Sequence, residues 1–193
     1  SFNRLTAVRE IKAHQIEDYF TLIDNQITTF AESQMIIEAM RRFSVGFDYI
    51  KRDLHYSPEA SEAEDQRLTR YYQDEFLKRL RRNLDEDVSP DQFLPTGEES
   101  RALQHLYISK NPYRFGHKVN LDHADDSSYY SNMHRSFHPT IRSYLEKFDY
   151  YDIFLVEPDS GHIVYSVFKE VDYATSLLEG PYKDTNIAAV FRQ

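Results

Sequence analysis

Two histidines, His134 and His138, are four residues apart, and this spacing would place both imidazoles on one face of a helix. Such a pair can contribute to a metal site, but the glutamate of a zinc-protease HExxH motif is missing. Pro139 follows directly and predicts a break, with one helix over 127–136 and another that starts at the proline. We therefore expect these histidines to form hydrogen bonds or caps rather than to bind a metal.

A second polar group lies in the segment 113–126, which we expect to be irregular. It contains His117 and His123, and Asp122, Asp125 and Asp126 are close by in the chain. A metal-dependent enzyme that uses this loop is one hypothesis, although the spacing does not match a calcium loop. Because no Ser, His or Asp stands in a recognisable nucleophile motif, we predict that the chain is not an enzyme and uses no metal or cofactor.

Composition excludes several other kinds of site. The 193 residues include 23 Lys and Arg against 32 Asp and Glu, a formal net charge of -9. This excess of acid disfavours binding to nucleic acid or to an anionic membrane surface. The five glycines form neither a phosphate-binding loop nor a hydrolase elbow, and the absence of cysteine excludes disulfides and catalytic thiols.

A long helix is predicted over residues 2–33, which contain neither Gly nor Pro. Its apolar residues from Ile16 to Phe30 follow one another at steps of four and three, typical of a helix that packs along another helix. It is either a core helix of a bundle or a stalk that continues into a membrane span outside this chain. We expect residues 16–30 to pack on the chain's own third and fourth helices, and residues 4–14 to pair weakly with a second copy.

Further helices are predicted over 35–50, 65–84 and 96–109. Pro58 places the segment 55–65 in a loop, and the cations between Lys78 and Arg82 are interpreted as a solvated face that favours the helix dipole. Thr96 and Glu99 form a capping box for the helix that follows them. Asp184 or Thr185 is expected to cap a last helix.

Two short strands are predicted near the C-terminal end, over 152–156 and 163–168. Both are rich in strand-forming residues, and the turn between them ends at Gly161, which predicts a hairpin. A lone hairpin is marginal, so helices or additional strands have to cover it. The fold class is therefore α+β and mostly helical, with a long N-terminal helix and a helical bundle followed by the opening hairpin of a sheet.

The stretch Tyr151–Thr175 (YDIFLVEPDSGHIVYSVFKEVDYAT), taken with GPYKD over 180–184, resembles the extracytoplasmic sensor regions of bacterial transmembrane receptors. These are Cache-type domains with a PAS-like fold, in which a strand ends in a D-x-x-x-G-type turn and a second strand reading IVYS opens the sheet. KAHQIEDYF over 12–20 resembles the helix that leaves the first membrane span, and 129–148 resembles the helix that leads into strand one.

The chain departs from that family in two respects. The family sheet has about five strands, so the remaining strands are expected beyond Gln193. The chain contains no Trp, so the Arg-Trp-Tyr style signature of the amino-acid-binding members is missing, and the resemblance assigns no ligand.

The resemblance implies a periplasmic ligand-sensing domain of an inner-membrane receptor, with a methyl-accepting chemotaxis protein as the expected class. Histidine kinases and nucleotide cyclases carry similar sensors, and a cytoplasmic helical interaction module is a further alternative. The implied organisation is a stalk helix with a bundle over 1–127, followed by the start of the PAS-like module over 128–193. The implied partners are a small-molecule ligand and a second copy in a weak homodimer, with no nucleic acid and with the membrane reached through segments outside this chain.

PAS-like sheets hold small molecules on the inner face, under the helix that precedes strand one. The resemblance therefore implies ligand contacts from that helix and from the hairpin. Each candidate also has a plain structural role, such as core packing or a surface ion pair. The six candidates are Tyr129, His134, Arg142, Asp152, Tyr165 and Lys169.

Overall fold

A computed structural model describes residues 2–82 and 88–193, with side chains from Arg4 onward. It is 63% helical, with a two-stranded antiparallel sheet, so the predicted mostly helical α+β class is confirmed. Leu84, expected near the end of the third helix, lies outside the described residues. The helices are α1 (Phe2–Ala31), α2 (Gln34–Leu54), α3 (Pro58–Tyr71), α4 (Leu77–Leu80), α5 (Glu98–Gln104), α6 (Tyr129–Phe148) and α7 (Asn186–Phe191), and the strands are β1 (Phe154–Val156) and β2 (Ile163–Ser166).

The chain divides into two compact units, one that ends at Ala39 and one from Met40 to Gln193. In the first unit, α1 carries apolar side chains that are largely exposed: 56% for Ile16, 64% for Phe20 and 50% for Ile27. The expectation that this part of α1 packs on the chain's third and fourth helices stays a prediction. No described helix is both long enough and apolar enough to cross a bilayer. The predicted division at residues 127 and 128 stays a prediction.

Prolines account for two differences from the predicted helices. Pro58 starts α3 instead of marking a loop, because Ser57 accepts a hydrogen bond from the Ala60 N–H at 3.2 Å and proline needs no donor at a first helical position. Pro139 lies inside α6, which continues through it from Tyr129 to Phe148. The predicted break is absent because α6 buries residues on both sides of the proline, and this packing outweighs one lost backbone hydrogen bond.

N-terminal capping residues were predicted for two short helices, α5 and α7. The residue that caps α5 is Gly97, and its side chain supplies no hydrogen bond, so the expected capping role of Thr96 is wrong. The cap of α7 is Thr185, one of the two predicted alternatives, and its side chain accepts from the Ala188 N–H at 3.4 Å.

Widened helical turns follow α3 and α5. Residues Tyr72–Phe76 and His105–Ser109 are π-helical, and the Leu77 N–H donates to the Tyr72 carbonyl five residues back. Gln104 fixes the first of these segments to the chain after β2: its Oε1 accepts from the Tyr72 hydroxyl at 2.8 Å, and its Nε2 donates to the Tyr173 carbonyl at 2.7 Å. Turns of this kind occur frequently at functional sites.

The close approach of α2 and α6 depends on Gly46. A β-carbon at this position would lie 3.0 Å from the Tyr130 Cα atom. Phe43, one turn earlier on α2, packs its ring 5.2 Å from the ring of Tyr130 and 4.7 Å from that of Tyr165, measured between ring centroids. These contacts bring α2, α6 and β2 together around one core.

The predicted hairpin is present. Leu155 pairs with Tyr165, and a bulge lies between Leu155 and Val156. Gly161 closes the turn at a φ of +70°, a conformation that favours glycine. The hairpin is covered on one side by α6, since the Tyr130 hydroxyl donates to the Val164 carbonyl at 2.7 Å.

Candidate ligand site

Seven polar or charged side chains fill the space between α6, the π-helical segment after α5 and the hairpin. Each is at most 2% exposed, and we call this group the sealed core. Three members lie on one face of α6 because they are four residues apart, and a second-strand tyrosine packs against them. The members are Tyr107, Tyr130, His134, His138, Tyr165, Lys169 and Tyr173.

The two histidines of the sealed core are neutral. His138 contacts the Val119 carbonyl through Nε2 at 2.7 Å, so Nε2 donates, and Nδ1 accepts from the Tyr165 hydroxyl at 2.6 Å. His134 donates from Nδ1 to the Asp122 carbonyl at 2.9 Å. Burial lowers the pKa of His138 to about 2 and places that of His134 well below its ordinary value.

The buried tyrosines form two hydrogen-bonded chains. The Tyr173 hydroxyl donates to the Tyr130 hydroxyl at 2.8 Å, which in turn donates to the backbone of β2. The Ser131 hydroxyl donates to Asp126 at 2.7 Å, so the Tyr107 hydroxyl donates to Ser131 at 2.9 Å. These bonds satisfy the phenolic groups without water, as burial requires.

Lys169 is the charged member of the sealed core. Its backbone has a φ of +58°, an uncommon value for a residue with a side chain. Its ammonium donates to the Ser166 carbonyl and lies 4.4 Å from the centre of the Tyr165 ring and 5.4 Å from that of Tyr173. Burial lowers the pKa of Lys169 to about 7, and the nearby Asp152 carboxylate opposes that shift.

Asp152 holds the end of the hairpin in place. Its Oδ1 atom accepts from the Val167 N–H at 2.9 Å, and its Oδ2 atom accepts from the Ser166 hydroxyl, also at 2.9 Å. Burial raises the pKa of this carboxyl, while the N–H donors and Lys169 oppose the rise. Asp152 thus stabilises the turn that leads from β2 to Lys169.

The structure brings together three of the six predicted ligand contacts, namely His134, Tyr165 and Lys169, with Asp152 next to them. Arg142 lies at the edge and pairs with Asp122 at 2.9 Å. Tyr129, at the start of α6, accepts from Arg42 on α2 at 2.8 Å. The ligand role implied for these six residues stays a prediction.

An open pocket of about 210 Å³ lies beside the sealed core. We call it the aromatic pocket, because four of its lining residues are aromatic. They come from the end of α3 and its π-helical segment, from the loop before residue 118 and from the segment after β2. These aromatic residues are Tyr71, Phe76, Phe115 and Phe168.

Three cationic residues and one acidic residue also line the aromatic pocket: Arg79, Lys118, Lys169 and Glu170. Arg79 lies 4.5 Å from the centre of the Phe115 ring and pairs with Glu75 one turn earlier, at 2.6 Å. Burial raises the pKa of Glu170. Most of the lining surface is therefore apolar, and most of its charged side chains are cations.

Lys118 is the most constrained cation of the aromatic pocket, with 6% of its surface exposed. Its ammonium donates to the Ile108 carbonyl at 2.8 Å and lies 4.7 Å from the centre of the Tyr71 ring. Burial lowers its pKa to about 8, while the Glu75 carboxylate favours the charged form, so the ammonium is protonated at neutral pH.

Asn111 fixes the loop that carries Phe115 and Lys118. Its Nδ2 donates to the Tyr107 carbonyl at 2.9 Å and to the Lys118 carbonyl at 3.2 Å, and its Oδ1 accepts from the Tyr113 N–H at 3.0 Å. A short loop with both ends tied in this way can hold its side chains in a defined place.

Most residues of the aromatic pocket escape prediction from the sequence. Arg79 is in the run interpreted as a solvated helical face, and Phe115 and Lys118 are in a segment expected to be irregular. An aromatic residue in such a polar loop is a weak signal for a binding surface. Of the residues named as candidates, the pocket includes Lys169.

Among the residues that the structure describes, no group of three His, Asp or Glu side chains is arranged to hold a metal ion. No family model matches the chain, and neither a curated protein nor a solved structure is significantly similar to it.

Proposed function

We propose that the chain is an extracytoplasmic ligand-sensing domain of a bacterial transmembrane signalling receptor, of the PAS-like Cache type, and that the receptor is a methyl-accepting chemotaxis protein. The observation that carries this proposal is the aromatic pocket, which is open, lined mostly by apolar surface and furnished with a few charged groups. Binding pockets for small molecules generally have this character. The sequence resemblance of Tyr151–Thr175 to such receptors supports the same function.

The pocket is formed by segments that are far apart in the chain. Its residues lie at 71–80, at 115–118 and at 168–171. A ligand that contacts all three segments favours the arrangement in which they are close together, and so shifts the population toward that arrangement. A sensor needs no chemistry beyond this difference in affinity between two arrangements.

We also propose that α1 pairs weakly with α1 of a second copy. The support is the exposure of its apolar side chains, including Leu5 at 69% and Phe20 at 64%. Polar residues between them limit the apolar area that pairing buries, so the isolated chain should be a monomer or a weak dimer at micromolar concentration. Light scattering on the chain and on an Ile16→Gln, Phe20→Gln variant tests this. A tight dimer, or a dimer that survives both changes, contradicts it.

The exposed face of α1 also favours a second candidate function, a cytoplasmic helical interaction module. The two functions differ in where the chain resides. Alkaline phosphatase, which folds to its active form outside the cytoplasm, can be inserted at the exposed Asp159 of the full-length gene product. The sensor predicts an active reporter, and the interaction module predicts an inactive one.

The sensing function is tested with a hybrid receptor. The segment that carries this chain replaces the sensor domain of a chemoreceptor whose kinase output is measurable, and cells are exposed to a broad panel of small organic compounds. We expect at least one compound to change kinase activity and expect Phe115→Ala to reduce that response. A hybrid that reaches the membrane and responds to no compound contradicts the proposal. Histidine kinases and cyclases are distinguished by the output domain that the full gene encodes.

A further inference from the structure

The charges of the aromatic pocket differ from those of its surroundings. The chain as a whole carries a formal net charge of -9, yet three of the four ionisable carboxylate or cationic side chains that line the pocket are cations. A positive site in an acidic protein raises the local concentration of anions there and does so against the field of the remaining surface.

Lys118 has unused bonding capacity. An ammonium carries three N–H donors, and the described residues provide one hydrogen bond, to the Ile108 carbonyl at 2.8 Å. No carboxylate among the described residues forms an ion pair with Lys118 at contact distance, whereas Arg79 is paired with Glu75 at 2.6 Å. Lys169 also forms one hydrogen bond, but its ammonium is enclosed by three tyrosine rings of the sealed core. Lys118 is therefore the cation of this pocket best suited to a charged ligand atom, which would supply the missing acceptor.

The aromatic side chains of the pocket determine which kind of group the ligand can carry next to its charged atom. Tyr71, Phe76 and Phe115 present ring surfaces, and aromatic faces favour apolar or aromatic groups in offset or edge-on contact. The pocket volume of about 210 Å³ is below the roughly 300–1,000 Å³ of sites that take drug-sized ligands, so the ligand is small.

We infer that the aromatic pocket binds a small organic carboxylate with an aromatic or bulky apolar group, its carboxylate accepting from Lys118 and its apolar group lying between Tyr71, Phe76 and Phe115. This inference rests on the proposed sensing function and names the ligand class of the same site. Glu170 also lines the pocket, and its carboxylate disfavours ligands with more than one negative charge.

Binding to the 193-residue chain can be measured by titration calorimetry with four probes. They are phenylacetate, its neutral isostere phenylacetamide, phenethylamine and acetate. We expect phenylacetate to bind at least tenfold more tightly than any of the other three. The inference is overturned if phenylacetamide binds as tightly as phenylacetate or if phenethylamine binds more tightly. It is also overturned if phenylacetate at ~10 mM shows no binding to the chain at a millimolar concentration.

Two variants test whether phenylacetate binds in the aromatic pocket. Lys118→Met keeps an unbranched side chain one atom shorter and without charge, and it should weaken phenylacetate binding at least tenfold. Lys78→Met, at an exposed lysine paired with Asp74, should leave that binding unchanged. If Lys118→Met fails to fold, Phe115→Ala, at a side chain that is 40% exposed, serves instead and should weaken phenylacetate more than acetate. Unchanged binding in a folded Lys118→Met or Phe115→Ala variant overturns the placement.

The failure of this inference is distinguishable from failure of the sensing function. If the hybrid receptor responds to neutral or cationic compounds and phenylacetate does not bind, the ligand class is wrong and the sensing function stands. If phenylacetate binds in the pocket and a hybrid receptor that reaches the membrane responds to no compound of the panel, the binding site stands and the sensing function is contradicted.

Discussion

Two buried lysines of this protein have nearly the same local chemistry and different surroundings. Lys169 and Lys118 each donate to a backbone carbonyl and each lie close to a tyrosine ring. Both line the aromatic pocket, but the Lys169 ammonium lies within 6 Å of three tyrosine rings of the sealed core, whereas the Lys118 ammonium lies close to the ring of Tyr71. In the first case the protein supplies the partners of the cation, and in the second we propose that a ligand completes them.

The comparison suggests that the sealed core provides stability and the aromatic pocket provides binding. A buried cation costs free energy unless it is well bonded, and fixed aromatic rings and carbonyls reduce this cost. Substitutions in the sealed core should therefore affect the free energy of unfolding most, and substitutions in the pocket should affect ligand affinity most.

The largest expected effect is that of Tyr165→Ala. This ring is fully buried against Phe43 and bonded to His138, so its removal should lower the free energy of unfolding by ~3–5 kcal/mol. Tyr71→Ala in the half-buried pocket wall should cost about half as much or less. Urea unfolding of both variants provides the measurement. Similar losses for the two would remove the distinction between the regions.

The next effect concerns two glycines. Gly46→Ala puts a methyl group 3.0 Å from the Tyr130 Cα atom, and such overpacking should cost ~1–3 kcal/mol. Gly116 of the pocket has open space around it and a φ of +77°, so Gly116→Ala should cost about 1 kcal/mol through the backbone alone. Thermal unfolding compares them. A greater loss for Gly116→Ala would show that α2 and α6 adjust more readily than their packing indicates.

A smaller change removes one hydroxyl from each region. Tyr165→Phe leaves His138 Nδ1 buried without its donor and should cost ~1–3 kcal/mol of unfolding free energy. Tyr71→Phe should stay within about 0.5 kcal/mol. If chemical denaturation shows no loss for Tyr165→Phe, the histidine has another donor and the tautomer assigned to it is wrong.

A further difference between the regions appears in the pH dependence of stability. The pKa of His138 is lowered to about 2, so between that value and the ordinary 6.5 the unfolded chain binds a proton that the folded chain does not. Stability from this group is complete above pH 6.5 and declines as the pH falls. His138→Asn should therefore reduce the slope of unfolding free energy between pH 6.5 and 4.5 by up to ~1.4 kcal/mol per unit.

Lys118 should affect the pH dependence of the free energy of unfolding in the alkaline range instead. The pKa of Lys118 is lowered from 10.5 to about 8, so stability from this group rises with pH between those values, where the unfolded chain holds the extra proton. Lys118→Met should flatten that part of the curve and leave the acid part unchanged. A change confined to the acid range would contradict the assignment.

The sequence predicts those parts of the fold that depend on local patterns. The hairpin follows from two strand-forming runs around Gly161, and the cap of the last helix follows from Thr185. Prolines are harder to interpret, because the same residue starts a helix at Pro58 and is tolerated within one at Pro139, and tertiary packing decides between these outcomes.

The site is harder to predict than the fold. A widened turn such as Tyr72–Phe76 has no compositional signal, and the aromatic pocket combines segments that are up to about a hundred residues apart in the chain. His134, Tyr165 and Lys169 are correctly expected near one another, since the helix and the hairpin follow directly in the sequence. That they close into a sealed core depends on Phe43 of α2, which no local pattern links to them.

The stacked imidazoles of the sealed core have a spectroscopic consequence. Their ring centroids are 4.3 Å apart, yet His134 carries its proton on Nδ1 and His138 on Nε2, as the carbonyl acceptors require. Two adjacent histidines with opposite tautomers give distinct nitrogen-15 resonances. Both ring protons are sheltered from water, so their exchange rates report how often α6 separates from the segment at 119–122 that carries their carbonyl acceptors. The protein thus contains its own probe for the opening of this core, without an added label.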